Sequence, residues 1–125
     1  MNSEIENRLK EIKIENFIWL IYLVIIFLSY YSNYLEKDYF VNKNESSKED
    51  YRKILIIIFT VLLVIYFYFF YDSYSDFKDY NSYSDEKKRK VILSFTGSTL
   101  ILISGFIFWY LAVIDDNLDV ELAFN

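Results

Sequence analysis

The residues that most resemble a ligand set lie at the acidic end of the chain. Asp115, Asn117, Asp119 and Glu121 fall at alternate positions, as the oxygen donors of a calcium loop do. Val120, however, stands where such a loop needs glycine for its sharp turn, and no distal bidentate glutamate follows. Asp115 and Asp116 with Asp119 also match the Asp-Asp-x-x-Asp pattern of magnesium-diphosphate enzymes. Those enzymes need a large helical cavity and a second acidic motif, and the sequence offers neither. The plainer reading is an acidic flank that keeps the tail away from the inner leaflet. Ser98 and Ser104 are hydroxyl nucleophiles in principle, but a serine needs a base. The chain has no histidine and no cysteine, and no lysine falls inside its apolar stretches. Imidazole and thiolate chemistry, disulfides and thiolate metal sites are therefore out of reach. The expectation is no catalytic residue, no metal and no cofactor.

What remains is chemistry of packing and charge. Residues 91–114 form a run of twenty-four without a charged side chain, opened by Lys87, Lys88, Arg89 and Lys90 and closed by Asp115 and Asp116. As a helix this run is about 36 Å long, more than the roughly 30 Å of a bilayer's hydrocarbon core. It holds both glycines of the chain, Gly97 and Gly105. At 100° per residue Ser94, Gly97, Ser98, Ile101, Ser104 and Gly105 share one face, with Thr96 and Thr99 turned away. Small residues let helix backbones approach closely, and in lipid that packing drives association. This face is the candidate helix-packing site, used either within the chain or toward a foreign helix or a second copy. The four bases at its start are the candidate contacts with lipid headgroups and the main determinant of threading.

The rest of the chain reads as elements that flank and carry this span. Residues 17–35 are a first uncharged span, with Trp19 and Tyr22 near one end and Tyr30, Tyr31 and Tyr34 at the other. Aromatic rings with a polar handle collect at headgroup level, so both ends fit an interface. The mixed acids and bases before Phe17, and the absence of a small-residue cleavage pattern after the run, favour an uncleaved anchor over a signal peptide. Residues 54–71 are a second span, with Thr60 its only polar residue before the terminal tyrosines. Apolar all round, it is expected to see more lipid than the third span, with six consecutive aromatics, 66–71, as an interfacial collar.

Residues 2–16 place Ile5, Leu9 and Ile12 on one stripe among charged residues, the pattern of a short amphipathic helix. Ser3 with Glu6 has capping-box spacing, and Glu4–Arg8 and Glu6–Lys10 are i,i+4 pairs. With no glycine or proline in between, this leader is able to run on into the first span. Residues 36–53 and 72–90 read as hydrophilic connections, the second with a Ser-Tyr-Ser-Asp repeat at 73–76 and 82–85. In the acidic tail, 115–125, Leu118, Val120, Leu122 and Phe124 alternate as they would in an extended segment.

Composition agrees with this layout. The chain is 54% hydrophobic and 25% charged, and the two classes are sorted into separate blocks, whereas a soluble domain interleaves them. A net charge of −5 argues against a nucleic-acid partner. The expected fold is all-α: one polytopic membrane domain of three transmembrane helices with a short amphipathic N-terminal helix.

Basic residues hold back on the cytoplasmic side. The leader carries three, the first connection five, the second connection five and the tail none. That distribution favours a cytoplasmic amino terminus and an external carboxyl terminus in a multi-pass cell-membrane protein. The spans carry no ionisable residue, which removes the simplest coupled-transporter and intramembrane aspartyl-protease readings. The expected function is that of a small non-catalytic accessory or regulatory subunit packing through the third span, in contact with the bilayer and with a membrane-protein partner or a second copy. The alternatives are an oligomeric pore of the holin kind, whose usual basic tail is missing here, and an immunity protein against a membrane-active toxin.

Overall fold

The computed structural model describes residues 2–120. Among them are three long α-helices, α1 (Ser3–Asn42), α2 (Glu45–Phe77) and α3 (Asp85–Ile114), with one short 3-10 turn at Tyr80–Ser82. The helices have 40, 33 and 30 residues, so they extend about 60, 50 and 45 Å. Each is long and apolar enough to cross a membrane. The chain has no proline and keeps its two glycines for α3, so nothing inside α1 or α2 interrupts the backbone ladder.

The helices outrun the apolar stretches that define them in sequence. The short amphipathic N-terminal helix expected over 2–16 is not a separate element: it is the beginning of α1, which runs unbroken to Asn42. Continuing a helix adds a hydrogen bond per residue, whereas a new helix must nucleate again, so without a breaker the leader and the span fuse. Asn2, rather than Ser3, caps α1, its side-chain oxygen accepting from the Glu4 N–H at 2.9 Å. Arg8 pairs forward with Glu11 at 2.9 Å and Glu15 at 3.4 Å. Those exposed carboxylates raise its already high pKa, chiefly through the Glu11 hydrogen bond.

The connections are shorter than their hydrophilic sequences imply. Residues 36–53 are helical except for Lys43 and Asn44, and in the second connection α2 continues to Phe77. Polar helix ends projecting beyond the bilayer keep their backbone hydrogen bonds, so composition alone does not mark where a helix stops. The tail, too, differs from the extended reading. Leu118 has φ 56°, and both carboxylate oxygens of Asp115 accept backbone N–H groups, from Asp119 at 2.9 Å and Val120 at 3.0 Å. That closes a turn. Leu122 and Phe124 lie outside the described residues.

By compactness the chain divides into two units, one ending at Tyr51 and the other starting at Arg52. The first contains α1 and the opening turns of α2, and its distinctive feature is the break at Lys43. Lys43 is left-handed, φ 57°, a conformation that costs a non-glycine residue roughly 1–2 kcal/mol. Asp38 organises the bend around it: its carboxylate accepts from Ser47 Oγ at 2.6 Å, Asn42 Nδ2 at 2.6 Å and Asn44 Nδ2 at 2.9 Å. Asn44 in turn accepts from the N–H groups of Ser46 and Ser47, capping α2. The Ser47 hydrogen bond, followed by that of Asn42, holds the Asp38 carboxyl below the usual carboxylate range.

The second unit is an antiparallel hairpin of α2 and α3. Its turn places Ser84 as the cap of α3, accepting from the Lys87 N–H at 3.3 Å, with Asp85 and Glu86 in the first helical turn.

Candidate helix-packing site

The seam between α2 and α3 sets mostly large residues of α2 against a mixture of large and small residues on α3. Contacts from α2 come from Phe59, Leu63, Tyr66, Phe70, Ser73 and Phe77, at alternating steps of four and three. On α3 the buried Val91, Leu102, Gly105 and Ala112, with Phe95 and Ser98 between them, keep the same spacing. A repeat averaging 3.5 residues holds one stripe of each helix against the other along their whole shared length.

At Gly105 side chains of α2 pack directly on the α3 backbone. A Cβ at that position would stand 2.7 Å from Tyr66 Cδ2, 3.2 Å from its Cε2 and 3.3 Å from Leu63 Cδ1. Only a hydrogen fits there. Toward the turn, Phe95 is the hub of an aromatic cluster, stacked on Phe77 with ring centres 5.1 Å apart and tilted against Phe70 at 5.5 Å. Phe67 meets Phe106 edge-on at 5.3 Å.

Polar groups in the seam pair with one another. The buried Ser73 lies with its hydroxyl 2.7 Å from that of Ser98 and 3.4 Å from that of Ser94. Trp109 Nε1 donates to Thr60 Oγ1 at 3.0 Å, while Thr60 donates to the Ile56 carbonyl at 2.7 Å. In an apolar medium such bonds fix register between helices, because the alternative is a polar atom facing hydrocarbon. At the other end Arg52 closes the hairpin, pairing with Asp116 at 2.7 Å and donating to the Val113 carbonyl at 3.3 Å, one of the free carbonyls at the end of α3.

The predicted small face is thus divided. Ser98 and Gly105 are brought against α2, with Ser94 at the exposed edge of the contact, 3.4 Å from Ser73, whereas Gly97 and Ser104 are exposed with no such contact, and a Cβ at Gly97 would meet nothing within 4 Å. Each of those two stands one residue, or 100°, away from a seam position. Ser73, Thr60, Trp109 and Arg52 are functional members of the seam that residue typing passed over. For Ser73 the signal was the four-three spacing carried past Tyr71 into a stretch that reads as a loop. The aromatic run 66–71 is likewise shared: Tyr66, Phe67 and Phe70 pack on α3, and Tyr71 is exposed.

Lys87, Lys88, Arg89 and Lys90 occupy the first turns of α3. Lys87 lies 4.1 Å from the centre of the Tyr83 ring, and Lys88 lies 5.3 Å from that of Tyr80. Lys90 pairs with Glu86 at 3.3 Å. At the acidic end, no three carboxylates among the described residues converge as metal ligands, and Asp115 is engaged by its own backbone.

Three helices of this length and apolarity, two of them closed by an interdigitated seam, are the architecture of a small multi-pass membrane protein. No family model matches the chain, and comparison with curated proteins and with solved structures finds no match either.

Proposed function

We propose that the protein is a non-catalytic subunit of the cell membrane that acts by binding another membrane helix through the exposed flank of α3. The amino terminus is cytoplasmic and the carboxyl terminus external, as the distribution of bases favours. The observation that carries the reading is the division of the small residues. Gly105, Ser98 and Ser94 are used within the hairpin, while Gly97 and Ser104 leave a second close-approach strip with open space above it. The partner is a foreign helix or a second copy of this chain.

Gly97→Ile and Gly105→Leu separate the two uses in a native-detergent co-purification with differently tagged copies. Gly97→Ile is expected to abolish partner or self-association while the hairpin stays folded, and Gly105→Leu to loosen the hairpin itself. Undiminished association in Gly97→Ile sinks the proposal. Collapse of membrane potential on induced expression would instead favour a pore, and protection in a killing assay an immunity protein.

A further inference from the structure

We propose that the start of α3, together with the turn before it, is a recognition surface for the phosphate headgroups of anionic phospholipids. The inference rests on the membrane reading above and not on the contact through Gly97. Four successive residues at 100° each are spread around the whole circumference of a helix, so Lys87 to Lys90 form a collar rather than a stripe. The uncharged run begins at the next residue, Val91. The collar therefore spans the last ~6 Å before the hydrocarbon, the depth of headgroup phosphates.

The collar's charge is held without being neutralised. Tyr83 and Tyr80 seat the ammonium groups of Lys87 and Lys88, and Tyr74 seats that of Lys78 at 5.1 Å. A ring quadrupole orients a cation but carries no net charge, so the full positive charge stays available to a phosphate. Arg89 has no protein partner among the described residues, and the Lys90–Glu86 pair, 69% and 72% exposed, is of the weak surface kind. The rings are themselves anchored. The Tyr83 hydroxyl donates to the Asp76 carbonyl at 2.9 Å, and Tyr80 packs at 5.5 Å on Phe77, which is stacked on Phe95 in the hairpin core.

The acids nearby favour lipid over a soluble anion. Asp85 and Glu86 sit in the first turn of α3, on the water side of the collar, and Asp76 and Asp79 lie close enough to Tyr83 to add to the effect of burial in raising its pKa. An anion arriving from solution meets these carboxylates first. A phosphate already at the membrane surface meets the bases.

The test uses the full chain, purified in neutral detergent, delipidated and titrated with phosphatidylglycerol, phosphatidylcholine or inorganic phosphate, bound lipid being counted by native mass spectrometry. The unmodified chain is expected to retain phosphatidylglycerol more tightly than phosphatidylcholine, by about fivefold per engaged base. Replacing all four collar bases by glutamine should erase the preference, replacing the three lysines by arginine should keep it, and replacing Lys48 and Lys53 by glutamine should leave it unchanged. Equal retention of the two lipids by the unmodified chain overturns the inference without recourse to any variant. So does a preference that survives neutralisation of the collar, or displacement of the lipid by an equal concentration of inorganic phosphate. A chain that stays dispersed with no detergent at all refutes the membrane reading itself, whereas one that needs detergent but ignores headgroups refutes only this inference.

Discussion

Gly97→Ala and Gly105→Ala make the same chemical change on one helix, and the geometry around the two positions gives them opposite consequences. Each removes the conformational freedom of glycine and so gains up to ~1 kcal/mol of helix propensity, a term common to both that cancels in the comparison. At Gly97 a Cβ meets nothing within 4 Å, so the gain stands alone. At Gly105 the new carbon lies 2.7 Å from Tyr66 Cδ2, with Leu63 Cδ1 at 3.3 Å limiting the space alongside. Apolar carbons rest about 3.5–4.0 Å apart, so the ring must retreat by close to 1 Å or the helices must separate. Overpacking of this kind costs about 1–3 kcal/mol, which is the expected difference between the two variants. Unfolding in mixed micelles against increasing sodium dodecyl sulfate measures it. Trp109, bonded to Thr60 across the seam, serves as the fluorescent reporter in a Trp19→Phe background. Gly97→Ala should unfold at or above the midpoint of the parent and Gly105→Ala clearly below it. Coincident midpoints for the two variants would refute the close approach at Gly105.

Two further outcomes follow from the polar contacts. Ser73→Ala removes the 2.7 Å contact with Ser98 and should lower hairpin stability by about 0.6 kcal/mol, and by no more than about 1.7. Ser73→Ala/Ser98→Ala should cost little beyond the single variant in the same micelle titration, since both remove one bond. Asp38 predicts a pH dependence. Its carboxyl is held below the usual range, so its stabilisation of the Lys43 bend is complete above the ordinary aspartate pKa of about 4 and is lost as pH falls through the lowered value. Hydrogen exchange at the Ser46 and Ser47 amides, compared between neutral and strongly acidic pH, should show the bend opening in acid. Asp38→Asn should remove most of that dependence.

Much of the architecture is legible in the residues because a bilayer imposes coarse rules. An uncharged run of twenty or so residues has few alternatives to a membrane helix, so the stretches at 17–35, 54–71 and 91–114 all fall inside the observed helices. Helix limits were harder to read. Polarity suggests a helix end at Glu36 and at Asp72, yet a helix stops only where its hydrogen-bond ladder finds a substitute, and that occurs at Lys43, with the Asp38 network, and after Phe77. The small face was half legible for a related reason. Composition located it on α3, but serine and glycine fit equally well on a flank as in a seam.

The order of the amino acids by itself determined that the protein consists of apolar helices, which catalytic groups it lacks, and where its charges gather along the chain. These are properties of side chains counted one after another, and solvation acts on them directly. Only the tertiary structure decided which small residues are buried, that Ser73 bonds Ser98, that Gly105 rather than Gly97 admits no methyl group, and that Tyr80 and Tyr83 stand beneath Lys88 and Lys87. Those facts depend on the rotation and register of one helix against another. A shift of a single residue turns a helix by 100°, which is enough to exchange a buried glycine for an exposed one.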